Sequence, residues 1–284
     1  MSRSRGERPQ ASEPAAVVVR DADLTLAETE AGSSLGRRIL TVAIKAIVLV
    51  YAVVVLYFIW STKSLTFASL AQDPFFAGYS VAVVVYLLSR FLLALFYRPV
   101  PDRGYRPTVT IVVPAFNEQE GIAGTLVSCL TVEYPSELLQ VIAVNDGSTD
   151  ATWDRIMAVR EEHPELLAVD LGSNYGKRTA MAEGVRRASG EIVVFVDSDS
   201  YLAPDAVRHI VQPFTDPRVG ASVGHAEVAN RWVNWLTKMQ QVRYYSAFLV
   251  IKGTESLLSG TVTCASGCCA AYRRDVIVSE LPDW

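Results

Sequence analysis

The sequence predicts an α/β domain with a mostly parallel sheet, preceded by two transmembrane helices. Two long apolar runs lie near the amino terminus, and from residue 108 onward short β-branched runs alternate with helical patterns. Hydrophobic residues make up 50% of the 284 residues and the mean hydropathy is positive, which favours membrane segments over a fully soluble chain. Alternation of strands and helices is typical of parallel sheets with right-handed crossovers.

The amino-terminal segment, residues 1–36, is rich in Ala, Glu, Ser and Arg and shows no sustained apolar period. This composition predicts a disordered tail. The segment is too polar, and too long before the first apolar run, to be an ordinary signal peptide.

Two apolar runs, about 39–60 and 75–96, are each 22 residues long. A helix of that length spans roughly 33 Å, the thickness of a bilayer core. Both runs are apolar on all sides, which favours membrane spans over a pair of buried soluble helices. Arginines flank the pair on the outside, whereas the connecting loop carries only Lys63 and Asp73. The positive-inside rule therefore predicts a multi-pass protein of the cell membrane, with the tail and everything after Arg98 in the cytoplasm.

Net charge and cysteine usage argue against several classes of protein. The net charge is −4 and no long basic cluster occurs, so nucleic acid is not an expected partner. Three of the four cysteines crowd into 264–269, which is not the pattern of a disulfide framework and suits a reducing compartment. Cys264 and Cys268 have no nearby histidine, so a zinc site is not expected.

The α/β domain is expected over residues 108–284, after a stiff, proline-containing linker at 99–107. In such sheets, ligands bind at the carboxyl ends of the strands, so polar residues there are candidate site residues. The expected strands are 108–113, 139–145, 166–171, 192–196 and 219–228, and the expected helices are 119–131, 150–162, 177–188, 204–214 and 232–249.

Two carboxylates, Asp197 and Asp199, directly follow the apolar run at 192–196. Their oxygens are the hard ligands that Mg²⁺ or Mn²⁺ takes when it also holds substrate phosphates. An acidic turn that leads into the next helix is the alternative interpretation.

Three upstream loops also carry polar residues at strand ends. Asn117 follows the first strand and either lies beside an anion-binding helix N-terminus or caps that helix. Asp146 follows the second strand, where it either accepts a hydrogen bond from a ligand or belongs to an ordinary turn. Lys177 and Arg178 open the third helix, where acids are usually preferred; they face a diphosphate or form a solvated basic turn.

The order of these pieces resembles the nucleotide-sugar half of family-2 inverting glycosyltransferases. The motifs are Pro-Ala-Phe-Asn-Glu at 114–118, Asn-Asp-Gly-Ser-Thr-Asp at 145–150, Gly-Lys-Arg at 176–178 and Val-Asp-Ser-Asp-Ser at 196–200. They are most similar to the processive membrane synthases of hyaluronan, chitin and poly-N-acetylglucosamine. The resemblance implies a Rossmann-like, GT-A type domain that transfers a sugar from a UDP-sugar to a growing polysaccharide.

The resemblance also implies a role for each matching donor-site residue. Pro114, Asn117 and Glu118 would line the nucleoside pocket, and Asp146 would bind the uracil. Lys177 would contact the diphosphate.

The same resemblance assigns the remaining charged positions to the phosphates and the metal. Arg178 would support Lys177 at the diphosphate, and Asp197 would lie against the ribose or the metal. Asp199 would ligate Mg²⁺ or Mn²⁺, which stabilises the departing UDP as a Lewis acid.

The segment at 262–274 resembles the part of these synthases that lies beneath the acceptor sugar. Ser266, Gly267 and Cys268 would face the acceptor, because small side chains leave room for a sugar ring. A buried strand of small residues is the alternative.

The general base of an inverting transfer is expected beyond Trp284. In this family it is an Asp in a Gly-Asp-Asp or Glu-Asp motif shortly after the acceptor segment, and no such motif occurs here. We therefore expect a synthase domain that is incomplete at its carboxyl end and contains no catalytic base. The alternative is a catalytically inactive, membrane-anchored UDP-sugar-binding fragment. A metal phosphohydrolase fits less well, since Pro114 and Ala115 stand where its aspartate nucleophile would be.

Overall fold

The computed structural model describes residues 34–61, 74–265 and 268–281. Contacts divide the chain into one unit that ends at Val84 and a second that begins at Val85. The predicted disordered tail lies outside the described residues apart from 34–36. Those three residues belong to a helix.

Two helices precede the sheet, α1 (Ser34–Ser61) and α2 (Pro74–Ala94). None of the α2 side chains is buried. Within the described residues, α2 is the helix that is long and apolar enough to cross a membrane, and the apolar part of α1 is the shorter stretch Lys45–Phe58. One candidate span is therefore found, and the span expected at 39–60 stays a prediction.

The described part of the second unit contains a six-stranded sheet in the order β3-β2-β1-β4-β6-β5. The first four strands are parallel, whereas β6 runs antiparallel to both β4 and β5. The expected α/β fold with a mostly parallel sheet is thus confirmed. The strands are β1 (Val109–Ala115), β2 (Leu139–Asn145), β3 (Leu167–Asp170), β4 (Ile192–Val196), β5 (Ala221–Val223) and β6 (Cys269–Arg273).

Helices connect the strands and follow the expected order. A π-helix, Ser246–Lys252, joins α7 to α8, and short 3₁₀ turns lie at Ser136–Leu138 and Gln212–Thr215. The helices are α3 (Ile122–Leu130), α4 (Thr152–Glu162), α5 (Lys177–Arg187), α6 (Ala206–Ile210), α7 (Trp235–Tyr245), α8 (Gly253–Ser259) and α9 (Arg274–Glu280).

Several of the expected elements differ in extent, and for two of them the structure shows the physical reason. The strand expected at 219–228 is only β5, which pairs on one side with β6 and is followed by Gly224. A Cβ on Gly224 would lie 2.8 Å from the sulfur of Cys269, so the chain approaches β6 too closely there for any side chain. The helix expected at 232–249 begins at Trp235, because the Asn234 side chain accepts a hydrogen bond from the backbone of Thr237 and caps the first turn.

Hydrophobic layers cover both faces of the sheet. Ile111 and Val113 face the layer that contains α3, α4 and α6, whereas Val112 faces the layer that contains α5 and α9. Burial on both faces explains why the central strands β1 and β4 are rich in β-branched residues. Helix α5 lies very close to β1, since a Cβ on Gly184 would approach a methyl carbon of Val112 to 2.3 Å.

The segment 99–107 forms neither helix nor strand, and hydrogen bonds fasten it to the domain. The buried Gln212 accepts a hydrogen bond from the Arg103 backbone and donates one to the Tyr105 carbonyl. The Tyr134 hydroxyl donates to the Pro107 carbonyl at 2.5 Å, and burial raises the pKa of this phenol to about 12.

Candidate functional site

An open cleft of about 320 Å³ lies at the carboxyl ends of β1, β2 and β4 and beside the start of α5. The loops that follow these three parallel strands all lie at the same edge of the sheet, as expected for a doubly wound sheet. The cleft is lined by Pro114, Ala115, Phe116, Glu118, Asp146, Asn174, Gly176, Lys177, Ala180, Asp197, Ser198 and Asp199.

Asp146 forms the inner wall of the cleft directly after β2. The residue is only 2% exposed, and its backbone N–H donates to the Ala115 carbonyl at 2.9 Å. Its Oδ1 accepts a hydrogen bond from the backbone N–H of Tyr175 at 2.8 Å. The carboxylate is thus fixed in orientation and lines the cleft as an acceptor of hydrogen bonds.

Lys177 is the first residue of α5 and extends into the cleft. The preceding Gly176 has a φ of 91°, a conformation that favours glycine, and its N–H donates to the Asn174 side chain. The Lys177 ammonium lies 2.5 Å from Oδ1 of Asp197. Arg178, one position further along the helix, is exposed and does not line the cleft.

The Asp197-Ser-Asp199 loop is held against α3. The hydroxyl of the buried Thr125 donates to the Ser198 carbonyl at 2.9 Å. A Cβ on Gly121 would lie 3.3 Å from that same carbonyl, so the helix start is in close contact with the loop. Both carboxylates line the cleft, and within the described residues Asp199 forms no ion pair.

The donor set of this loop fits a hard divalent cation. Asp197 and Asp199 offer carboxylate oxygens, which Mg²⁺ and Mn²⁺ prefer. Across the described residues, no group of three or more His, Cys, Asp or Glu side chains is placed to enclose a metal ion. A metal here would therefore complete its coordination with water or with oxygens of a bound phosphate, which is the usual arrangement for Mg²⁺ with nucleotide substrates.

A network of hydrogen bonds, which we call the loop clasp, joins residues 117–119 after β1 to residues 148–152 after β2. The Asn117 N–H donates to the Ser148 hydroxyl at 3.0 Å, and the Thr149 N–H donates back to Oδ1 of Asn117 at 2.9 Å. Glu118 N–H donates to the Thr152 hydroxyl at 2.7 Å. Two longer hydrogen bonds join Gln119 to residues 150–151.

Asn117 belongs to the clasp, and its expected contact with the nucleoside stays a prediction. Among the described residues it is the one non-glycine with a positive φ, 52°, and its side chain bonds to Thr149 rather than facing the cleft. It does not cap a helix either, because the N-cap position of α3 is Gly121. Asp150, expected to open a helix, instead bonds to Thr152 and Gln119, and these bonds lower the pKa of its carboxyl.

The antiparallel strand β6 brings Cys268, one of the acceptor candidates, to the same edge. Cys269, its first residue, is paired with Val196, the last residue of β4, so Cys268 lies beside the start of the loop that follows β4. Cys268 is half-buried at this point, whereas Ser266 and Gly267 lie outside the described residues. Burial raises the pKa of the neighbouring Cys269 thiol to about 12, so that thiol remains protonated at neutral pH.

The structure thus gathers six of the eight predicted donor and metal residues in one cleft. They are Pro114, Glu118, Asp146, Lys177, Asp197 and Asp199. Asn117 and Arg178 are not among the lining residues. Phe116 and Asn174 line the cleft and were not predicted, although Phe116 lies inside the motif at 114–118 and Asn174 lies two residues before the motif at 176–178.

Residues 110–279 match the sequence model described as "Glycosyl transferase family 2". The chain belongs to this family. The matched region begins in β1 and ends in α9, so it includes every strand of the sheet and the whole cleft. The resemblance that the strand-end motifs carry is therefore confirmed at the level of the family.

Relatives of this family-2 chain include two kinds of bacterial protein. A hyaluronan synthase of Streptococcus pyogenes is 33% identical over 217 residues, which are 72% of this chain and 49% of the relative. An N-acetylglucosaminyltransferase of Mesorhizobium japonicum is 35% identical over 182 residues, 63% of this chain and 42% of the relative. The chain spans about half the length of the curated relatives it matches.

A solved structure has a similar fold. The mannosyltransferase PcManGT from Pyrobaculum calidifontis, in complex with GDP-Man and Mn²⁺, aligns with a TM-score of 0.52 and 27% identity. The alignment covers 70% of this chain and 57% of that one. This likeness agrees with a GT-A type domain.

Proposed function

We propose that this chain binds a UDP-sugar in the cleft and transfers the sugar, with inversion, to a growing polysaccharide at the cytoplasmic face of a membrane. One observation carries the proposal. The loops after β2 and β4 and the start of α5 place Asp146, Lys177, Asp197 and Asp199 around a single cleft. Membership of family 2 supports transfer from a nucleotide-sugar.

Asp146 is proposed to recognise the base. Tyr175 holds one of its oxygens, which leaves the other to accept the uracil N–H. A buried acceptor with a fixed orientation selects for a ligand with a matching donor, because a mismatched ligand would leave the carboxylate unsatisfied. Pro114 and Glu118 form the wall on the β1 side of the same pocket.

Lys177, Asp197 and Asp199 are proposed to hold the diphosphate end of the donor. Asp197 and Asp199 would hold Mg²⁺ or Mn²⁺, which as a Lewis acid supplies stabilisation of the negative charge on the leaving UDP. The Lys177 ammonium would contact the phosphates at the start of α5, where free backbone N–H groups also favour anions. The PcManGT complex, which contains a nucleotide-sugar and Mn²⁺, supports a metal-assisted donor site.

The acceptor is proposed to approach along the segment before β6. Small side chains at Ser266, Gly267 and Cys268 would form a floor for the acceptor sugar, next to the loop that carries Asp197. No described residue is assigned as the general base.

The membrane is proposed as the third partner. Helix α2 supports at least one span, and the apolar run at 39–60 is proposed as the other. Arginines on the outer flanks of the pair support a cytoplasmic family-2 domain.

Binding of UDP and Mn²⁺ tests the donor site directly. Calorimetry on the full chain should show tighter UDP binding with Mn²⁺ than without it, and Asp199→Ala should abolish the difference. Asp205→Ala is the matched control, because Asp205 is a half-exposed carboxylate that does not line the cleft. UDP affinity that is the same with and without metal in the unmodified chain would contradict the proposal.

A screen of radiolabelled UDP-sugars tests the transfer step and separates it from donor binding without turnover. The hyaluronan synthase and N-acetylglucosaminyltransferase relatives make UDP-N-acetylglucosamine and UDP-glucuronate the first donors to test. Incorporation of label into a polymer is the expected result for the complete gene product.

A further inference from the structure

The ion pair between Lys177 and Asp197 lies inside the proposed donor site rather than on a remote surface. Its atoms are 2.5 Å apart, and both side chains line the cleft. The Lys177 side chain is 56% exposed and that of Asp197 is 28% exposed, so the pair can exchange partners with solvent or ligands.

The pair makes the two carboxylates of the loop unequal. Asp197 already has a cation, whereas Asp199 has no ion-pair partner in the described part of the chain, and its carboxylate accepts a long hydrogen bond of 3.4 Å from the Ser200 hydroxyl. A divalent cation that approaches this loop therefore finds the Asp199 carboxylate accessible, whereas the Lys177 ammonium covers the Asp197 carboxylate. The ammonium also repels the cation.

From this geometry we propose that Lys177 covers Asp197 until a nucleoside diphosphate draws the ammonium away, so that nucleotide and metal bind cooperatively. The inference rests on the donor site proposed above and adds a mechanism for its regulation. No bond is made or broken in the exchange. The ammonium moves from a carboxylate to the phosphates, and the released carboxylate becomes free for the metal.

The position of Lys177 suits such an exchange. Lysine carries a compact charge on a flexible four-carbon stem, so the ammonium can move while the backbone stays in place. The residue is the first of α5, an eleven-residue helix whose free N–H groups attract the same phosphates. A diphosphate bound there competes with Asp197 for the ammonium and offers more negative charge than one carboxylate.

The competing interpretation is an ordinary surface ion pair. Exposed pairs of this kind contribute little, and their loss changes nothing beyond local charge. The two interpretations differ in what happens to metal binding when the lysine charge is removed and no nucleotide is present. A covering lysine predicts stronger metal binding.

The experiment measures Mn²⁺ binding to the full chain without nucleotide, from the free Mn²⁺ signal in electron paramagnetic resonance. Lys177→Gln should bind Mn²⁺ at least about threefold more tightly than the unmodified chain at low salt, since a repelling charge near the ion is gone. Arg178→Gln removes the same charge one residue away, outside the cleft, and should change little. Lys177→Arg keeps a cation near Asp197 and should restore weak binding.

A second measurement follows the cooperativity itself. Addition of UDP should tighten Mn²⁺ binding to the unmodified chain by a larger factor than in Lys177→Gln, after correction for Mn²⁺ bound to UDP in solution. Unchanged or weaker Mn²⁺ binding by Lys177→Gln without nucleotide would overturn the inference, and so would an equal increase in Arg178→Gln.

These results are distinguishable from failure of the donor-site proposal. That proposal fails if the unmodified chain does not bind UDP, whatever the Mn²⁺ measurement shows. The comparison without nucleotide involves no donor and decides the role of Lys177 independently. Circular dichroism of each variant confirms folding, which the exposed position of Lys177 should not disturb.

Discussion

The loop clasp predicts that Asn117 acts on the donor site through structure rather than by contact. Replacement by Ala removes the acceptor of the Thr149 N–H and puts an ordinary side chain at a φ of 52°. The lost hydrogen bond costs about 0.5–1.5 kcal/mol and the left-handed backbone about 1 kcal/mol more. Because Asn117 is exposed, the lower part of this range applies, and Asn117→Ala should lose about 1.5–2 kcal/mol of unfolding free energy.

Asn117→Gly separates the two contributions. It removes the same acceptor but adopts a positive φ without strain, so it should be more stable than Asn117→Ala by about 0.5 kcal/mol, despite the greater freedom of glycine when unfolded. Urea denaturation of the detergent-solubilised full chain measures both variants. Trp153, which lies in α4 beside the clasp, reports the transition. An Ala variant as stable as the Gly variant would refute the argument from backbone strain.

Ser148→Ala distinguishes the structural role from a direct contact with the nucleoside. This change breaks the other bond of the pair, from the Asn117 N–H to the Ser148 hydroxyl, and leaves the Asn117 amide intact. If Asn117 acts through the clasp, Ser148→Ala and Asn117→Gly should weaken UDP binding to a similar degree. A loss confined to the Asn117 variants would restore the original prediction that this residue lines the nucleoside pocket.

Three further predictions concern packing, pH and topology. Gly184→Val should destabilise the domain by at least about 1–3 kcal/mol in denaturation experiments, because the added carbons collide with Val112, and the added Val112→Ala change should recover part of the loss. Burial raises the pKa of Tyr134 from 10.0 to about 12, so its contribution to stability is full below pH 10 and is lost as the pH rises toward 12; Tyr134→Phe should weaken the alkaline dependence of melting curves, of which part remains because burial also raises the pKa of the Cys269 thiol, and a dependence that the substitution leaves unchanged would assign it to other groups. Reporter fusions after residues 68 and 110 should place only the first outside the cytoplasm, and the opposite pattern would overturn the predicted orientation.

Strand positions could be read from the sequence where both faces of the strand are buried. β2 and β4 have the bounds that the sequence predicts, since each contains a continuous apolar run, 141–144 in β2 and 192–196 in β4, with polar residues on both sides. β5 could not be read in this way, because its short extent depends on the close approach of Gly224 to Cys269, which is distant in sequence.

The site was predictable as a set of strand ends, but not in its internal pairing. Asn117 bonds to Thr149, which lies 32 residues further along the chain, and no local sequence pattern predicts that contact. The different fates of Lys177 and Arg178 follow from helix geometry, because adjacent residues point about 100° apart and only one of two neighbours can face a cleft.

The antiparallel placement of β6 also has a consequence for synthesis of the chain. β4 pairs with β1 along one edge, but its other edge stays unpaired until β6 has been synthesised. The first residue of β6 lies 73 positions after the end of β4. At ~5–20 residues per second, a ribosome needs roughly 4–15 s to supply it. Throughout that interval the most apolar strand of the sheet has an open edge available for pairing with another chain. The nascent domain is therefore most prone to self-association after its donor-binding loops have been made and before its last strand emerges.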